Sequence, residues 1–204
     1  MERMQRGDGA EVPVLTGTNL DEFRYWLLTD PRLPTLEPRH LHKRSRRNGA
    51  EPERVIDAYR ASRPGLDDNQ LAIALVGDLS FRLPQIRMAE AREGAGARTW
   101  MYLMTRASPV EGRRLGCAPA MDIPFVFGTW DLAPVPKLIG DGPDRAELSR
   151  SMQDAWLQFA HEGDPSHDGI GPWEVYEHSR RSTMIFDVPT RLDEDPLSQE
   201  RLAW

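Results

Sequence analysis

The stretch that most constrains the fold is an uninterrupted apolar run of strand length, Thr99-Trp-Met-Tyr-Leu-Met-Thr105. Turn-forming residues stand on both sides of it, Gly94-Ala-Gly96 before and Ser108-Pro109 after. A strand with one face in solvent alternates apolar and polar residues, whereas a continuous run indicates a strand covered on both faces, as in a parallel sheet. The sequence therefore predicts an α/β architecture in which helices surround a parallel sheet.

A second predicted strand ends in acidic residues. The apolar run Val12-Pro-Val-Leu-Thr16 leads into the turn Gly17-Thr-Asn-Leu-Asp-Glu22, and a short helical pattern follows over residues 20–28. Open α/β sheets collect their functional groups at the carboxyl ends of the strands. The turn therefore predicts a functional carboxylate at that edge of the sheet.

Two stretches resemble the type-B carboxylesterases, a family of α/β-hydrolases that includes para-nitrobenzyl esterases and cholinesterases. In that family a Gly-x-x-x-Asp-Glu turn supplies the acid of a Ser-Glu-His triad, and the resemblance places Glu22 at the acid. The second stretch is Leu115-Gly-Cys-Ala-Pro-Ala-Met-Asp-Ile-Pro-Phe-Val-Phe-Gly128. It is similar to the family's histidine loop, Gly-x-x-His-x-x-Glu/Asp-Ile-Pro-Phe-Val-Phe, but Pro119 stands where that pattern has histidine.

The departure at Pro119 is chemical, because proline has no side-chain group that can accept a proton from a serine hydroxyl. Three other histidines, His161, His167 and His178, lie in segments that the resemblance places away from the pocket. A base must meet its nucleophile at hydrogen-bond distance, so none of the three is expected to be catalytic. Cys117 has no histidine within its loop and is interpreted as a small, poorly ionised thiol.

Three helical patterns precede the strand at Trp100. The first begins near Pro52 and ends at Pro64-Gly65, and Asp67 caps the second, which Gly77-Asp78 breaks. The third begins at Phe81-Arg-Leu-Pro84 and continues to about Glu93.

Further along the chain the resemblance continues in the family's order. The strongest helical pattern begins near Asp144, and the segment Ser151-Met-Gln-Asp-Ala-Trp-Leu-Gln-Phe-Ala-His-Glu-Gly-Asp-Pro165 is close to a family signature. Pro172-Trp-Glu-Val-Tyr176 and Thr183-Met-Ile-Phe-Asp187 extend the match and predict a small hairpin. By this resemblance the strand at Trp100 is the last main strand, and residues 125–127 form a short extended piece.

The family's nucleophile motif, Gly-x-Ser-x-Gly, has no match in these 204 residues. The triad order Ser, acid, His expected for this fold therefore begins at its second member. We expect residues 1–204 to form a single unit that corresponds to the carboxyl-terminal part of a type-B carboxylesterase domain. The chain is expected to be a truncated or fragmentary hydrolase that is inactive alone, and a partial sheet is expected to self-associate through its exposed edge.

Composition and charge limit the classes of partner and cofactor that the protein is expected to bind. A net charge of -6 argues against nucleic acid and anionic membranes. The basic run His40-Leu-His-Lys-Arg-Ser-Arg-Arg47 lacks interleaved aromatics and is interpreted as a solvated helix end or loop. His40 and His42 do not share a helix face, and a single cysteine is too few for a structural zinc site, so no metal or other cofactor is expected. No apolar signal core opens the chain, which predicts a cytoplasmic protein.

Three functions remain open from the sequence. The first is a carboxylic-ester hydrolase that acts on a small-molecule ester when an upstream half completes it. The second is a non-catalytic relative that binds a partner, in which Pro119 marks the loss of the base. The third is a free-standing unit with an unrelated binding role. Pro119 separates the first two, and the missing amino-terminal part of the sheet counts against the third.

Overall fold

A computed structural model of the chain describes residues 2–29, 38–113 and 115–204, and within these ranges one sheet of four strands forms the centre of the molecule. The strands follow one another in space as they do in sequence: β1 (Val14–Asn19), β2 (Thr99–Met104), β3 (Ser182–Phe186) and β4 (Arg191–Glu194). The first three are parallel, and β4 returns antiparallel to β3. The two predicted parallel strands are confirmed. A hairpin is present near the end of the chain, but its second strand is β4 and not the predicted stretch at residues 172–176, which forms no strand. The expectation that β2 is the last main strand is wrong, because β3 extends the parallel sheet.

The pairing of β1 with β2 requires a glycine in β1. Gly17 lies opposite Tyr102 in the parallel register. A Cβ atom at Gly17 would overlap the backbone oxygen and the ring of Tyr102, so the two strands approach this closely only without a side chain. The register brings Asn19 opposite Met104, and both strands therefore end at the same edge of the sheet.

Ten α-helices are described around the sheet. Their bounds are α1 (Glu2–Gln5), α2 (Arg24–Thr29), α3 (Pro38–Arg47), α4 (Pro52–Ser62), α5 (Asp68–Gly77), α6 (Leu83–Glu93), α7 (Ile123–Val126), α8 (Pro136–Ile139), α9 (Arg145–Glu162) and α10 (Ser198–Leu202). The predicted cap of α5 is confirmed, since the Asp67 side chain accepts from the backbone N–H of Gln70 at 2.8 Å. The helices predicted over the Pro52, Leu83 and Asp144 regions are confirmed as well.

Two local predictions are wrong. Gly77 and Asp78 do not break the chain into separate helices, because a π-helical turn, Asp78–Arg82, joins α5 directly to α6. The segment predicted as extended at residues 125–127 lies instead around the end of α7, a single helical turn with Pro124 in its first positions. Proline favours that position, and the turn buries the Phe125 ring completely.

Helices cover both faces of β2, as its continuous apolar run predicted. Trp100 and Met104 pack into the main core with residues of α9, including Met152. Met101, on the opposite face, packs with Ile86 of α6. Side chains of neighbouring strand positions point to opposite faces, so both faces of β2 are buried only because the sheet lies between these two helices.

A buried network of two arginines and two carboxylates joins α4, the π-helical turn and α10. The Arg82 Nε donates to Asp78 Oδ1 at 3.0 Å and its Nη2 to Glu200 Oε2 at 2.6 Å. The Arg63 Nε donates to Glu200 Oε1 at 2.7 Å, and the Tyr59 hydroxyl donates to Asp78 Oδ2 at 2.7 Å. Burial alone would raise the pKa of Asp78, but the charges of Arg82 and Arg63 outweigh burial and hold that pKa well below its usual range. The two positive and two negative charges balance one another.

Glu200→Gln tests this network, because it leaves two buried guanidinium groups facing one carboxylate. Removing one partner from a buried ion network typically costs about 3–5 kcal/mol, and we expect a loss of that size in the free energy of unfolding measured by urea denaturation. Arg60→Gln is the matched control: it breaks the exposed 2.9 Å ion pair with Asp68 and should leave the urea midpoint unchanged. A Glu200→Gln chain with the wild-type midpoint would contradict the account of the network.

Candidate functional site

The acidic turn after β1 and the loop at residues 115–122 are bonded to each other at the carboxyl edge of the sheet. The backbone N–H of Asp21 donates to the Cys117 carbonyl at 2.9 Å, and the backbone N–H of Cys117 donates to Asp21 Oδ2 at 2.8 Å. The backbone N–H of Leu20 donates to the Met104 carbonyl at 2.9 Å, which continues the strand pairing into the turn. Two segments about a hundred residues apart in sequence therefore form one unit.

Gly116 permits this contact between turn and loop. Its φ of 62° lies in the left-handed region, which favours glycine. A Cβ atom at this position would also overlap the Asp21 carboxylate, which approaches the loop here and forms an ion pair with Arg24 at 3.6 Å. Conformation and space both require a residue without a side chain.

Glu22, the residue predicted to be the triad acid, lies half-buried in the turn. Its Oε1 accepts from the backbone N–H of Asn19 at 2.8 Å and from the Asn19 Nδ2 at 3.3 Å. Burial raises the pKa of Glu22 above its ordinary value; the two bonds from Asn19 oppose this effect, and the negative charge of Asp122 adds to it. The structure thus brings a second carboxylate, Asp122 of the loop, into the electrostatic environment of Glu22.

Asp122 is held between the two strands. Its Oδ1 accepts from the Asn19 Nδ2 at 3.1 Å, and its Oδ2 accepts from the Tyr102 hydroxyl at 3.0 Å. Burial and the Asp122 charge raise the pKa of Tyr102, so the phenol keeps its proton and remains a donor. The sequence assigned no role to Asn19 or Tyr102. The available signal was a phenol within a strand that is otherwise apolar, which needs a polar partner when it is buried.

Pro119 lies in the loop between the two residues that contact the acidic turn, Cys117 and Asp122. The loop turns tightly there: the backbone N–H of Met121 donates to the Ala118 carbonyl at 3.3 Å, and Ala120 adopts a φ of 63°. The loop position predicted to correspond to the family's histidine is therefore close to the acidic turn in the fold. The residue at that position supplies no proton acceptor.

No histidine is among the residues that contact Glu22 in the described part of the chain. The His167 ring bonds the Ser151 carbonyl at 3.1 Å and accepts from the backbone N–H of Gly169, and the His178 ring lies 3.4 Å from Glu90. His161 is in the last turn of α9. The side chain of His40 lies outside the described residues.

Cys117 is completely buried at the site. Its Sγ donates to the Met104 carbonyl at 3.1 Å, and burial raises the pKa of its thiol well above the ordinary value. A buried thiol without a base remains protonated and is a poor nucleophile. Within residues 2–29, 38–113 and 115–204, no group of three or more His, Cys, Asp or Glu side chains is arranged to hold a metal ion. None of the described helices is long and apolar enough to cross a membrane.

A parallel sheet whose carboxyl edge carries a bonded acid turn and loop is the arrangement expected of an α/β-hydrolase. The sequence profile of the Carboxylesterase family matches residues 1–204. The chain is 28% identical over 195 residues to the para-nitrobenzyl esterase of Bacillus subtilis (strain 168), which covers 96% of this chain and 38% of that relative. It is 28% identical over 204 residues to the liver carboxylesterase of Sus scrofa, covering 90% of this chain and 34% of that relative.

Solved structures agree with these sequence matches. A crystal structure of a carboxylesterase from Geobacillus stearothermophilus superposes with a TM-score of 0.83 at 29% identity, covering 100% of this chain and 42% of that one. The chain therefore belongs to the carboxylesterase family, and its partial α/β-hydrolase fold is that of its relatives. It spans between 34% and 42% of the length of these three relatives.

Gly116→Ala tests the contact between turn and loop, with Gly96→Ala as its matched control. Both glycines have a positive φ, 62° and 74°, where a side chain costs about 1–2 kcal/mol. A Cβ atom at Gly96 has nothing within 4 Å, whereas at Gly116 it overlaps the Asp21 carboxylate. We expect Gly116→Ala to lower the free energy of unfolding by about 1–3 kcal/mol more than Gly96→Ala, measured in urea.

The second substitution Asp21→Ala removes the overlapping group. It should therefore cost less in the Gly116→Ala chain than in the wild type. Equal losses for the two glycine variants would show that Asp21 does not approach the loop as closely as the structure has it.

Proposed function

We propose that this chain forms the part of a carboxylic-ester hydrolase that carries the triad acid, Glu22, and the loop with the base position, occupied here by Pro119. The reaction is hydrolysis of a small-molecule carboxylic ester. The serine nucleophile and the oxyanion hole belong to residues outside these 204. The observation that carries the proposal is the direct bonding between the acid turn and the loop, through Asp21 and Cys117 on one side and Asn19 and Asp122 on the other.

The proposed roles follow from triad chemistry. A serine hydroxyl is a weak nucleophile until a neighbouring imidazole takes its proton, and the acid orients that imidazole and stabilises its charged form. Glu22 is half-buried and bonded through one carboxylate oxygen, which suits an acid that must hold a fixed direction. With proline at the base position the acid has no imidazole to orient, so the proposed site is impaired even when the serine is present.

Residues 1–204 act in this proposal as one unit. The outer edge of β1 pairs with no other strand among the described residues, and Val12 next to it is 55% exposed. We propose that the remaining strands of the hydrolase sheet pair at this edge. The same edge would mediate self-association when the chain is isolated, because unpaired backbone groups of a strand are open to pairing with another chain.

A non-catalytic role is the second candidate, and Pro119 is the observation that favours it. A family member that has lost its base can keep its fold and retain a surface that binds a partner. The two candidates differ in one measurable respect. An ester hydrolase that lacks its base should regain activity when a histidine is restored, whereas a chain adapted to binding alone has no reason to preserve the rest of the triad geometry.

Pro119→His in a hybrid enzyme tests the proposal. The hybrid joins the chain to the amino-terminal part of the Bacillus subtilis para-nitrobenzyl esterase, which supplies the missing length of the family fold. Loss of one triad member typically lowers turnover by roughly four to six orders of magnitude, so the hybrid with Pro119 should hydrolyse a p-nitrophenyl ester slowly. Pro119→His should recover a measurable part of that loss, and adding Glu22→Gln should remove most of the gain.

Two controls accompany the hybrid. The 204-residue chain alone should match the buffer blank, because an acyl-enzyme cannot form by the triad route without serine and histidine. Pro119→Ala in the hybrid relaxes the loop backbone without supplying a base and should leave the slow rate unchanged. If the hybrid with Pro119 is already as fast as the one with Pro119→His, the base lies elsewhere and the assignment of this loop is wrong.

A further inference from the structure

We propose that Asn19 is the positioning residue of the acid, and that Asp122 orients Asn19 from the loop that carries the base position. The proposal rests on the proposed function, in which Glu22 is the triad acid. It adds that the direction of Glu22 is set by a chain of side-chain hydrogen bonds that begins on β2 and passes through the loop. This chain is Tyr102 to Asp122 to Asn19 to Glu22.

The Asn19 amide is the central member of the chain. Its Nδ2 has two hydrogens and two carboxylate acceptors, Glu22 Oε1 at 3.3 Å and Asp122 Oδ1 at 3.1 Å. The opposite orientation of the amide would place its oxygen against two carboxylates, so the electrostatics select the nitrogen for this position. Asn19 is only 4% exposed, and its Oδ1 lies 3.6 Å from the Cys117 Sγ. The amide is therefore enclosed, and in this orientation its nitrogen has an acceptor for each of its two hydrogens.

Tyr102 fixes the remote end of the chain to the sheet. Its hydroxyl donates to Asp122 Oδ2, while Asn19 donates to Oδ1, so both oxygens of Asp122 are engaged. Tyr102 lies within β2, whose backbone is paired on both sides. Because both oxygens of Asp122 are bonded, Asp122 is a fixed acceptor for Asn19. The orientation of Glu22 is therefore set, through Asn19 and Asp122, by the position of Tyr102 in the sheet.

The two hydrogen bonds from Asn19 engage only one carboxylate oxygen of Glu22. Both contacts from Asn19, through the backbone N–H and through Nδ2, use Oε1. The triad requires a carboxylate oxygen that accepts from the imidazole N–H, and Oε2 is the oxygen that Asn19 does not engage. In this proposal Asn19 fixes Oε1 of Glu22, and Oε2 accepts from the imidazole N–H.

The first test is independent of catalysis and uses the 204-residue chain. Glutamate side chains are labelled with 13C, and the titration of Glu22 is followed by NMR in the wild type, in Asn19→Ala, in Asp122→Ala and in the double variant. We expect Asn19→Ala to raise the pKa of Glu22, because a donor to its charged form is lost. Asn19→Ala should change the pKa of Glu22 much less in the Asp122→Ala chain, because without Asp122 the Asn19 amide is no longer held in place. Asn48→Ala, in which a distant exposed amide is removed, should leave the titration unchanged.

Additive effects of Asn19→Ala and Asp122→Ala, or no effect of Asn19→Ala, would overturn the proposal. Tyr102→Phe keeps the proposal falsifiable if the Asn19 variant does not fold. It removes only the hydroxyl that holds Asp122, and it should shift the Glu22 titration in the same direction as Asn19→Ala by a smaller amount. An unchanged titration in a folded Tyr102→Phe chain would also overturn the proposal.

The second test uses the hybrid enzyme with Pro119→His. A misdirected acid impairs the chemical step and not substrate binding, so Asn19→Ala should lower kcat by about ten- to a hundredfold and leave KM unchanged. A KM that rises with kcat unchanged would contradict a positioning role. If the hybrid shows no activity with Pro119→His, the proposed function fails, while the NMR titrations still decide whether Asn19 and Asp122 position Glu22.

Discussion

The parallel pairing of β1 with β2 is the constraint on which the rest of the structure depends. Parallel strands end at the same edge of a sheet, and here that edge receives both the turn after β1 and the loop that follows β2. Gly17 allows the two strands to lie this close, and Gly116 allows the loop to reach the turn. Asp21 and Cys117 are about a hundred residues apart in sequence, and the strand pairing brings their segments to the same edge of the sheet.

The features that the sequence could predict are those decided by local patterns. The continuous apolar run of β2 predicted burial on both faces, and Asp67 predicted the start of α5. Features decided by tertiary contacts escaped prediction. Gly77 and Asp78 indicated a break, but the buried ion network holds Asp78 against Arg82 and keeps the chain helical. The extended segment predicted around Phe125 gave way to a helical turn that buries its ring.

The same division applies to the candidate site. A resemblance in motif indicated Glu22, the loop and the proline within it, because those residues follow one another at fixed spacing. Asn19 and Tyr102 gave no comparable signal, since their importance arises from what the fold brings near them. Asn19 meets Asp122 across 103 positions of sequence, and that contact exists only once the sheet has formed. Glu22 and the loop can thus be predicted from the spacing of residues in the sequence, whereas the roles of Asn19 and Tyr102 depend on the register of the strands.

The central claim is that the acid turn and the loop with Pro119 form one bonded unit at the edge of the sheet. Amide hydrogen exchange at Asp21 and Cys117 tests it most directly, because each of these N–H groups donates to the other residue across the two segments. We predict that both amides exchange slowly, with the same free energy of opening, and that Asp21→Ala accelerates exchange at Cys117. Rapid exchange at both amides in the folded chain, at the rate of unprotected loop residues, would contradict the claim.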